Sequence, residues 1–519
     1  TETRAQPTRW NVGKTVSPMK LREFNEWSQG LDVRKPKNID NPGALRTLEN
    51  AYITTGGQVK IRPGIKFHIE AGEYAGGLFS HNGKLWTLAV DGGRASWSAT
   101  EDTPEIYKIT VARPSGTTGK PLHVDFHGGF GVGLYFTVRW ESTTAGKFVG
   151  SQYYLANANS FPTTTIPIVA GAPKTSAAVT FQRRIYAISE DGKTVKYCSL
   201  GKPEEWTGGD SGFLPVGEVS IHSNTATALA LINNRLVVFM EDCIQIWALD
   251  PDPNRVELEE QVGGIGTRWQ GSPVTINKDV YFLSDLGVRS LSNQSSYQNI
   301  KGNDIGSAID SLVLDKIHKE PVHVDSQFWP GAGQYWLVLK DNLSNAVSDI
   351  FVLTKSKADK LNAWSTYHTS VTDLRQLAHL NERLFCISKG GWIYEFDENS
   401  DTDGKSTIAF EVVVETPFYQ FGAEGQYKMF QGIEAIFEGV ASIDHCVNPN
   451  NNDERTHSFE IAGDTRTKPN IPLGILAPML STRLTANSKY EPYPNGLDKP
   501  GFKTLNSLVY KYNPTTAGL

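Results

Sequence analysis

Apolar and polar residues alternate along this chain in short runs separated by turns, and one arrangement returns many times. The stretch SHNGKLWTLAVDGGRASWS, from Ser80, has a polar turn, an alternating strand, a tight Asp-Gly-Gly turn and a second strand. FQRRIYAISEDGKTVKYCS from Phe181, INNRLVVFMEDCIQIWAL from Ile232, NKDVYFLSDLGVRSLS from Asn277 and LNERLFCISKGGWIYEFD from Leu380 share that shape. GVGLYFTVRWESTTAGKFVGSQYYLA from Gly131 and GQYWLVLKDNLSNAVSDIFVLT from Gly333 are copies with longer turns. The central strands begin at Leu85, Leu134, Ile185, Leu236, Val280, Tyr335 and Leu384, spaced by about fifty residues. Alternation with period two predicts strands that bury one face. Paired strands at this interval predict the four-stranded blades of a β-propeller. The chain is therefore expected to be all-β, a propeller of about seven blades, with six or eight fitting the same spacing. A sandwich of unrelated hairpins also alternates, but supplies no reason for a near-constant interval.

Three segments depart from the rhythm. NDIGSAIDSLVLDKIHKE places Ile305, Ile309, Leu312 and Ile317 on one helical face, with Asn303 or Asp304 as cap, predicting a helix near 303–318 against a blade. After about Ser406 the period is lost. IAFEVVVETPFYQF and YKMFQGIEAIFEGVASID read as long strands of a separate C-terminal β-domain, and NPNNNDERTH as a hairpin tip or insert. The expected division is an irregular N-terminal arm over 1–47, the propeller with its inserted helix over 48–405, and the C-terminal β-domain and tail over 406–519. LENAYITTGGQVKIRPGIKFHIE, at 48–70, reads as a hairpin reversed at Gly56-Gly57 and ending in Arg62-Pro63-Gly64. Leu48, Ala51 and Ile53 are expected to supply a strand that enters beside the first blade, with completion of the last blade and closure of the ring as its further use. Pro63 suits an edge or bend, and Arg62 an ion pair or backbone cap.

Composition fits this outline. In 519 residues there are 48 Gly, 27 Pro, 12 Trp, 19 Tyr and 23 Phe, a turn-rich and aromatic-rich balance suited to β structure. The formal charge is −6. No basic cluster exceeds VRKPK at 33–37, which argues against a protein that grips DNA through many phosphate contacts. Cys198, Cys243, Cys386 and Cys446 are scattered, three of them inside apolar strand-like runs, so buried free thiols in a reducing compartment are expected. The sequence opens without a charged-then-apolar leader and has no run approaching a membrane span, so assembly in the cytoplasm without a spanning segment is expected.

No stretch offers a complete catalytic, cofactor or metal set. SEDGKT at 189–194 resembles the aspartate box of sialidase-like propellers but lacks a residue between Asp191 and Gly192 and has Val195 where an aromatic belongs, so it reads as a hairpin turn. NSDTDG at 399–404 begins like a calcium loop, but its twelfth position is Phe410, with Glu411 one step late; an exposed acidic turn closing the last blade is expected. GGFGVG at 128–133 and GGIGTRWQG at 263–271 lead into strands, which removes the helix N-terminus a phosphate loop needs. His68 and His81 stand apart. His123 and His127 are four residues apart but run into Gly128-Gly129, so they are not a helical metal pair. An active site in the central mouth of a propeller would draw on separate blades and leave no local motif.

The order of segments carries a resemblance. NPGALRTLENAYITTGGQVKIRPGIKF resembles the opening segment of tail nozzle or hub proteins of short-tailed bacteriophages, the group of tail tubular protein B and the packaged-DNA stabilisation proteins. The matching residues are Asn50, Gly56, Gly57, Lys60, Arg62, Pro63 and Gly64. FQRRIYAISEDGKTVKYCSLGKPEEW at 181–206, LVVFMEDCIQIWAL at 236–249 and QVGGIGTRWQGSPVTINKDVYFLSDLGVRSLS at 261–292 are similar to later segments of that family, and the 303–318 helix follows in its place. The resemblance spans roughly 41–440, while the arm at 1–40 and the tail from about 445 do not match. It implies a structural, non-enzymatic virion protein: a homohexameric ring continuing the portal–adaptor channel, contacting adaptor-ring proteins and tail fibres or spikes, and passing double-stranded DNA without reading its sequence. Two rival expectations are a glycoside hydrolase with paired carboxylates in a funnel, and a monomeric scaffold that binds partners at one mouth.

Overall fold

The computed structural model describes residues 18–34, 42–72, 75–90, 106–144, 147–158, 164–292, 304–318, 323–340, 348–356, 361–422, 425–451, 454–463, 470–489, 491–492, 498–499 and 501–514. The Asp-Gly-Gly turn after Val90, the start of the arm and Asn303 lie outside them.

Seven sets of hydrogen-bonded strands form the blades. Blade one holds Ala75–His81, Lys84–Val90 and Ile106–Val111; blade two Thr117–Phe130, Gly133–Ser142 and Phe148–Leu155. Blade three runs from Ala178–Phe181 to Gly212–Leu214, blade four from Ala226–Ile232 to Glu257–Gly263, and blade five from Val274–Ile276 to Gly287–Ser290. Blade six is His323–Trp329, Gln334–Lys340, Asp349–Ser356 and Leu361–Tyr367. Blade seven combines Leu374–Leu380, Arg383–Ser388 and Trp392–Asp397 with Gly64–Glu70. The first strand of each blade neighbours the first strand of the next, and that of blade seven returns to blade one, so the ring closes. The molecule is a seven-bladed β-propeller. Each of the seven sequence anchors lies on the second strand of its own blade, and each is almost wholly buried between blades. Among the described residues the meander has one exception: Ile106–Val111 runs parallel to Lys84–Val90 in blade one.

Ring closure differs from expectation. Leu48, Ala51 and Ile53 do not complete the last blade. The strand that does is Gly64–Glu70, paired antiparallel with Trp392–Asp397. Leu48 lies on Thr47–Glu49, which pairs with Glu411–Glu415. Ala51–Ile53 pairs with Val59–Ile61, which pairs in turn with Thr504–Pro514. These residues belong to the other domain because their apolar partners, among them Val412, Val414 and Leu505, lie in the same buried cluster.

That second domain is assembled from strands that precede and strands that follow the propeller. Lys428–Cys446 is its spine, flanked by Thr456–Gly463, Asn470–Ala477, Ser481–Asn487 and Thr504–Pro514. Lys20–Phe24, placed by sequence in an irregular arm, adds an antiparallel strand to Thr504–Pro514, and Phe24 stacks on Tyr419 with ring centroids 4.0 Å apart. Polar positions there hid an amphipathic edge strand whose inner side chain is Phe24. The outer strand of blade six meets this domain through Gly30 and Glu49, so one hydrogen-bonded sheet runs from propeller into domain.

The helix is shorter than predicted, Asp310–Ile317, and starts after turns at 305–309. Asp304 does not cap it. Its Oδ1 accepts from the backbone N–H of Ile305 and of Ser290, tying the turns to blade five. Ile305, Ile309, Val313 and Ile317 are buried, with Leu312 partly so, and Trp364 donates from Nε1 to the Ile305 carbonyl at 2.6 Å. The helix thus packs against blades five and six. The four cysteines are free and buried.

Candidate functional site

The inner strands put a polar cluster where the propeller axis would otherwise be open. Alternation along Thr117–Phe130 turns His123, Asp125 and His127 to one side, and matching strands bring in His323 and Asp325 from blade six and Gln376 from blade seven. His123 Nε2 lies 2.9 Å from Asp125 Oδ1, and its Nδ1 lies 3.4 Å from Asp325 Oδ1. Burial alone would depress His123, but the two carboxylates outweigh it and raise its pKa. Burial also opposes ionisation of Asp125, yet His123 holds that carboxyl below its usual range. Asp325 is pushed up to about 6 by burial, despite His123 and the N–H of Leu377 at 2.8 Å.

Arg139 donates from Nη2 to His323 Nδ1 at 2.8 Å, and His323 Nε2 faces the Arg375 carbonyl. Burial, followed by the Arg139 charge, drives the His323 pKa far down, so this imidazole is neutral, with Nδ1 as acceptor and the proton on Nε2. Gln376 accepts at Oε1 from the N–H groups of Leu78 and Val124 and donates from Nε2 to the Val124 carbonyl at 2.6 Å. One side chain of blade seven therefore binds blades one and two together. The axis is filled by side chains and cross-linked across blades.

No family model matches the chain, and no curated protein does. Among solved structures it is similar to an exo-β-1,3-galactanase from Phanerochaete chrysosporium, at 8% identity and TM-score 0.22, covering 72% of this chain and 93% of that one. It is also similar to BamB from Moraxella catarrhalis, at 12% identity and TM-score 0.30, covering 73% and 98%. A third is the Pan2 WD40 domain from Neurospora crassa, at 10% identity and TM-score 0.29, covering 53% and 89%. At these values the propeller rests on the sheet geometry above.

The sequence motifs fall as follows. In SEDGKT, Ser189 donates to Asp191 at 2.6 Å and Asp191 accepts from the Lys193 N–H, a self-contained turn between paired Ile188 and Val195. GGFGVG is a tight reversal in which Phe130 opposes Gly133. NSDTDG is not an exposed acidic turn: Asp403 is wholly buried and holds Arg62 in a two-pronged ion pair, with Nη2 to Oδ2 at 2.6 Å and Nη1 to Oδ1 at 2.9 Å. His68 meets Glu395 at 2.5 Å in blade seven, while the His81 ring lies tilted beside Phe126, with centroids 4.7 Å apart. Among the described residues no group of His, Cys, Asp and Glu gathers as a metal set. The sequence singled out His123 and His127 but gave no sign of His323, Asp325 or Gln376 as their partners, because those residues come from strands some two hundred positions away.

His127 gives a pH test of this cluster. Burial pushes its pKa down to about 4, and Nε2 is 3.2 Å from Thr137 Oγ1. A folded pKa below the unfolded value of about 6.5 means stability that is complete above 6.5 and is lost as pH falls from there to about 4. At pH 5 this one imidazole costs about 2 kcal/mol relative to neutral pH. Urea titrations of His127→Gln should lose about that much less stability than the parent between pH 7.5 and 5. An unchanged acid limb would show that His127 is not held neutral.

Proposed function

We propose that the chain is a nozzle or hub subunit of a short phage tail, acting as a structural block in a homohexameric ring that continues the portal–adaptor channel, retains packaged DNA and conducts it on infection. The observation that carries this reading is the filled axis. With Gln376, His123 and Asp325 spanning the centre, a duplex cannot thread one propeller, so a conduit must lie between copies of the chain. Sheet continuity from blade six into the terminal domain makes each copy a stiff two-domain unit suited to a closed ring. The order of segments from Asn50 through the helix supports the same reading.

The outer face of the terminal domain adds support. Leu21, Met429 and Leu476 are exposed on one side of adjacent strands, joined through the Lys511 and Asn513 positions of Thr504–Pro514. Apolar side chains on a sheet face suit a subunit contact. The net charge of −6 lets DNA slide past without the phosphate contacts that would brake it.

Both axial carboxylates lie against His123, as members of the cluster that ties blades two and six together. Mass photometry or electron microscopy with the portal–adaptor ring should show particles gaining six copies of the chain. A chain that stays monomeric with every virion partner, or that degrades a host polysaccharide when purified, overturns the proposal. Reversing lumen-facing carboxylates to Lys should slow DNA ejection.

A further inference from the structure

Beside the axis, where the ends of blades two to six converge, is a cavity of about 420 Å³. Its walls include Arg139, Lys174, Ser176, Arg268, Trp269 and Gln270, and no carboxylate is among its described lining residues. We propose that this cavity binds a small oxyanion carried on a hydroxylated ring, a sugar phosphate or a sugar acid. The assignment does not depend on the ring-forming reading above.

Unmet donors point to the ligand's chemistry. Arg139 is only 8% exposed; its Nη2 is held by His323, yet its Nε is buried without an acceptor. Gln270 receives the Ser176 hydroxyl at Oε1, 2.9 Å away, and its Nε2 is likewise buried without an acceptor. Two buried N–H donors lacking acceptors in one cavity wall are costly unless an acceptor group completes them. Charge sets the sign. Among the described residues no carboxylate hydrogen-bonds Arg139, which is balanced at longer range by Asp125 and Asp325, with Arg375 opposing. Arg268 pairs with Asp285 at 2.6 Å and Lys174 with Glu190 at 3.7 Å, but both pairs are largely exposed and therefore weak. An anion entering here meets three cations.

The remaining walls fit a ring with hydroxyls. Trp269 lies under Arg268, whose Cζ is 5.5 Å from its ring centroid, and offers an aromatic platform. Ser176 and Gln270 supply short polar contacts of the kind hydroxyls use. The Arg-Trp-Gln run belongs to GGIGTRWQG, which the sequence presents as a glycine loop without a helix. Its Arg268, Trp269 and Gln270 side chains form one wall of this cavity.

Isothermal titration of the full chain with inorganic phosphate, glucose 6-phosphate, glucuronate and glucose tests the assignment. Glucose 6-phosphate and glucuronate should bind at least about tenfold tighter than glucose. If both bind alike, the shared oxyanion is the determinant. If the phosphate ester alone binds, the source is a phosphorylated sugar. Lys174→Gln and Arg268→Gln, both at exposed positions and checked for an unchanged circular dichroism spectrum, should each weaken binding by about tenfold. Equal binding of glucose, binding of none of the four, or full binding by both variants overturns the proposal.

Discussion

Replacing Arg62 with alanine is expected to lower stability by about 3–5 kcal/mol, the cost of leaving a buried carboxylate unpaired. Arg62 is fully buried, as is Asp403. Its guanidinium has five N–H donors and the structure provides five acceptors: both oxygens of Asp403, Asn50 Oδ1 at 2.8 Å, and the carbonyls of Pro63 and His368, each at 2.9 Å. The plane also lies over Phe410, with Cζ 3.6 Å from the ring centroid. These partners come from the terminal domain, blade six and the closing strand. Losing the arginine therefore uncouples three parts of the fold as well as exposing one charge to a dry environment. Arg62→Lys should recover little, since an ammonium has three donors and no fork. Adding Asp403→Asn to Arg62→Ala should restore part of the loss, because the stranded charge is gone. Chemical denaturation reads all three, and a loss below about 1 kcal/mol for Arg62→Ala would show that the node is not structural.

Gly64→Val should be nearly as damaging, by about 3 kcal/mol, through a different cause. A side chain at this position would meet the Ser400 carbonyl oxygen at 2.5 Å and that of Thr402 at 2.6 Å, both backbone atoms that cannot swing aside. Gly64 also donates its N–H to the Ser400 carbonyl at 2.9 Å and opens the strand that pairs with Trp392–Asp397. Forcing it away peels the closing strand from blade seven. Hydrogen exchange should accelerate first across Leu374–Asp397 and Gly64–Glu70, with blades three and four unaffected at the same denaturant concentration. Uniform acceleration over all blades would contradict a local seam. Arg62-Pro63-Gly64 thus has separable reasons for its outer members: charge satisfaction at 62 and close backbone approach at 64.

Much of the propeller was legible because each blade repeats one local pattern. An apolar anchor such as Leu236 or Leu384 sits in the second strand of a hairpin, and hairpin contacts are short in sequence, so period and turn chemistry survive in the primary structure. The terminal domain was half legible. Its long strands showed, but Leu48 opposite Val414 and Phe24 beside Tyr419 are pairings across most of the chain that leave no periodic trace. Asp403 looked like a turn carboxylate because its local sequence resembles an ion-binding loop; only Arg62, far upstream, reveals its use. The axial cluster and the neighbouring cavity were illegible for a related reason. Each draws single residues from several blades, and one residue per repeat is not a motif.

Because the terminal domain joins strands that precede the propeller to strands that follow it, the order of synthesis matters. Once residue 397 has left the ribosome, every strand of the propeller exists, including the closing one, and the ring can shut around its buried anchors. At that moment Lys20–Phe24 and Ala51–Ile61 still lack Lys428–Cys446 and Thr504–Pro514, their hydrogen-bonding and apolar partners. The nascent chain therefore carries a finished domain with an unsatisfied leader hanging from it, and the stitch at Arg62 cannot be drawn tight before Asp403 and Phe410 arrive. Completion of the terminal domain therefore waits on Thr504–Pro514, and a chain broken off before that strand cannot present the domain's finished surface.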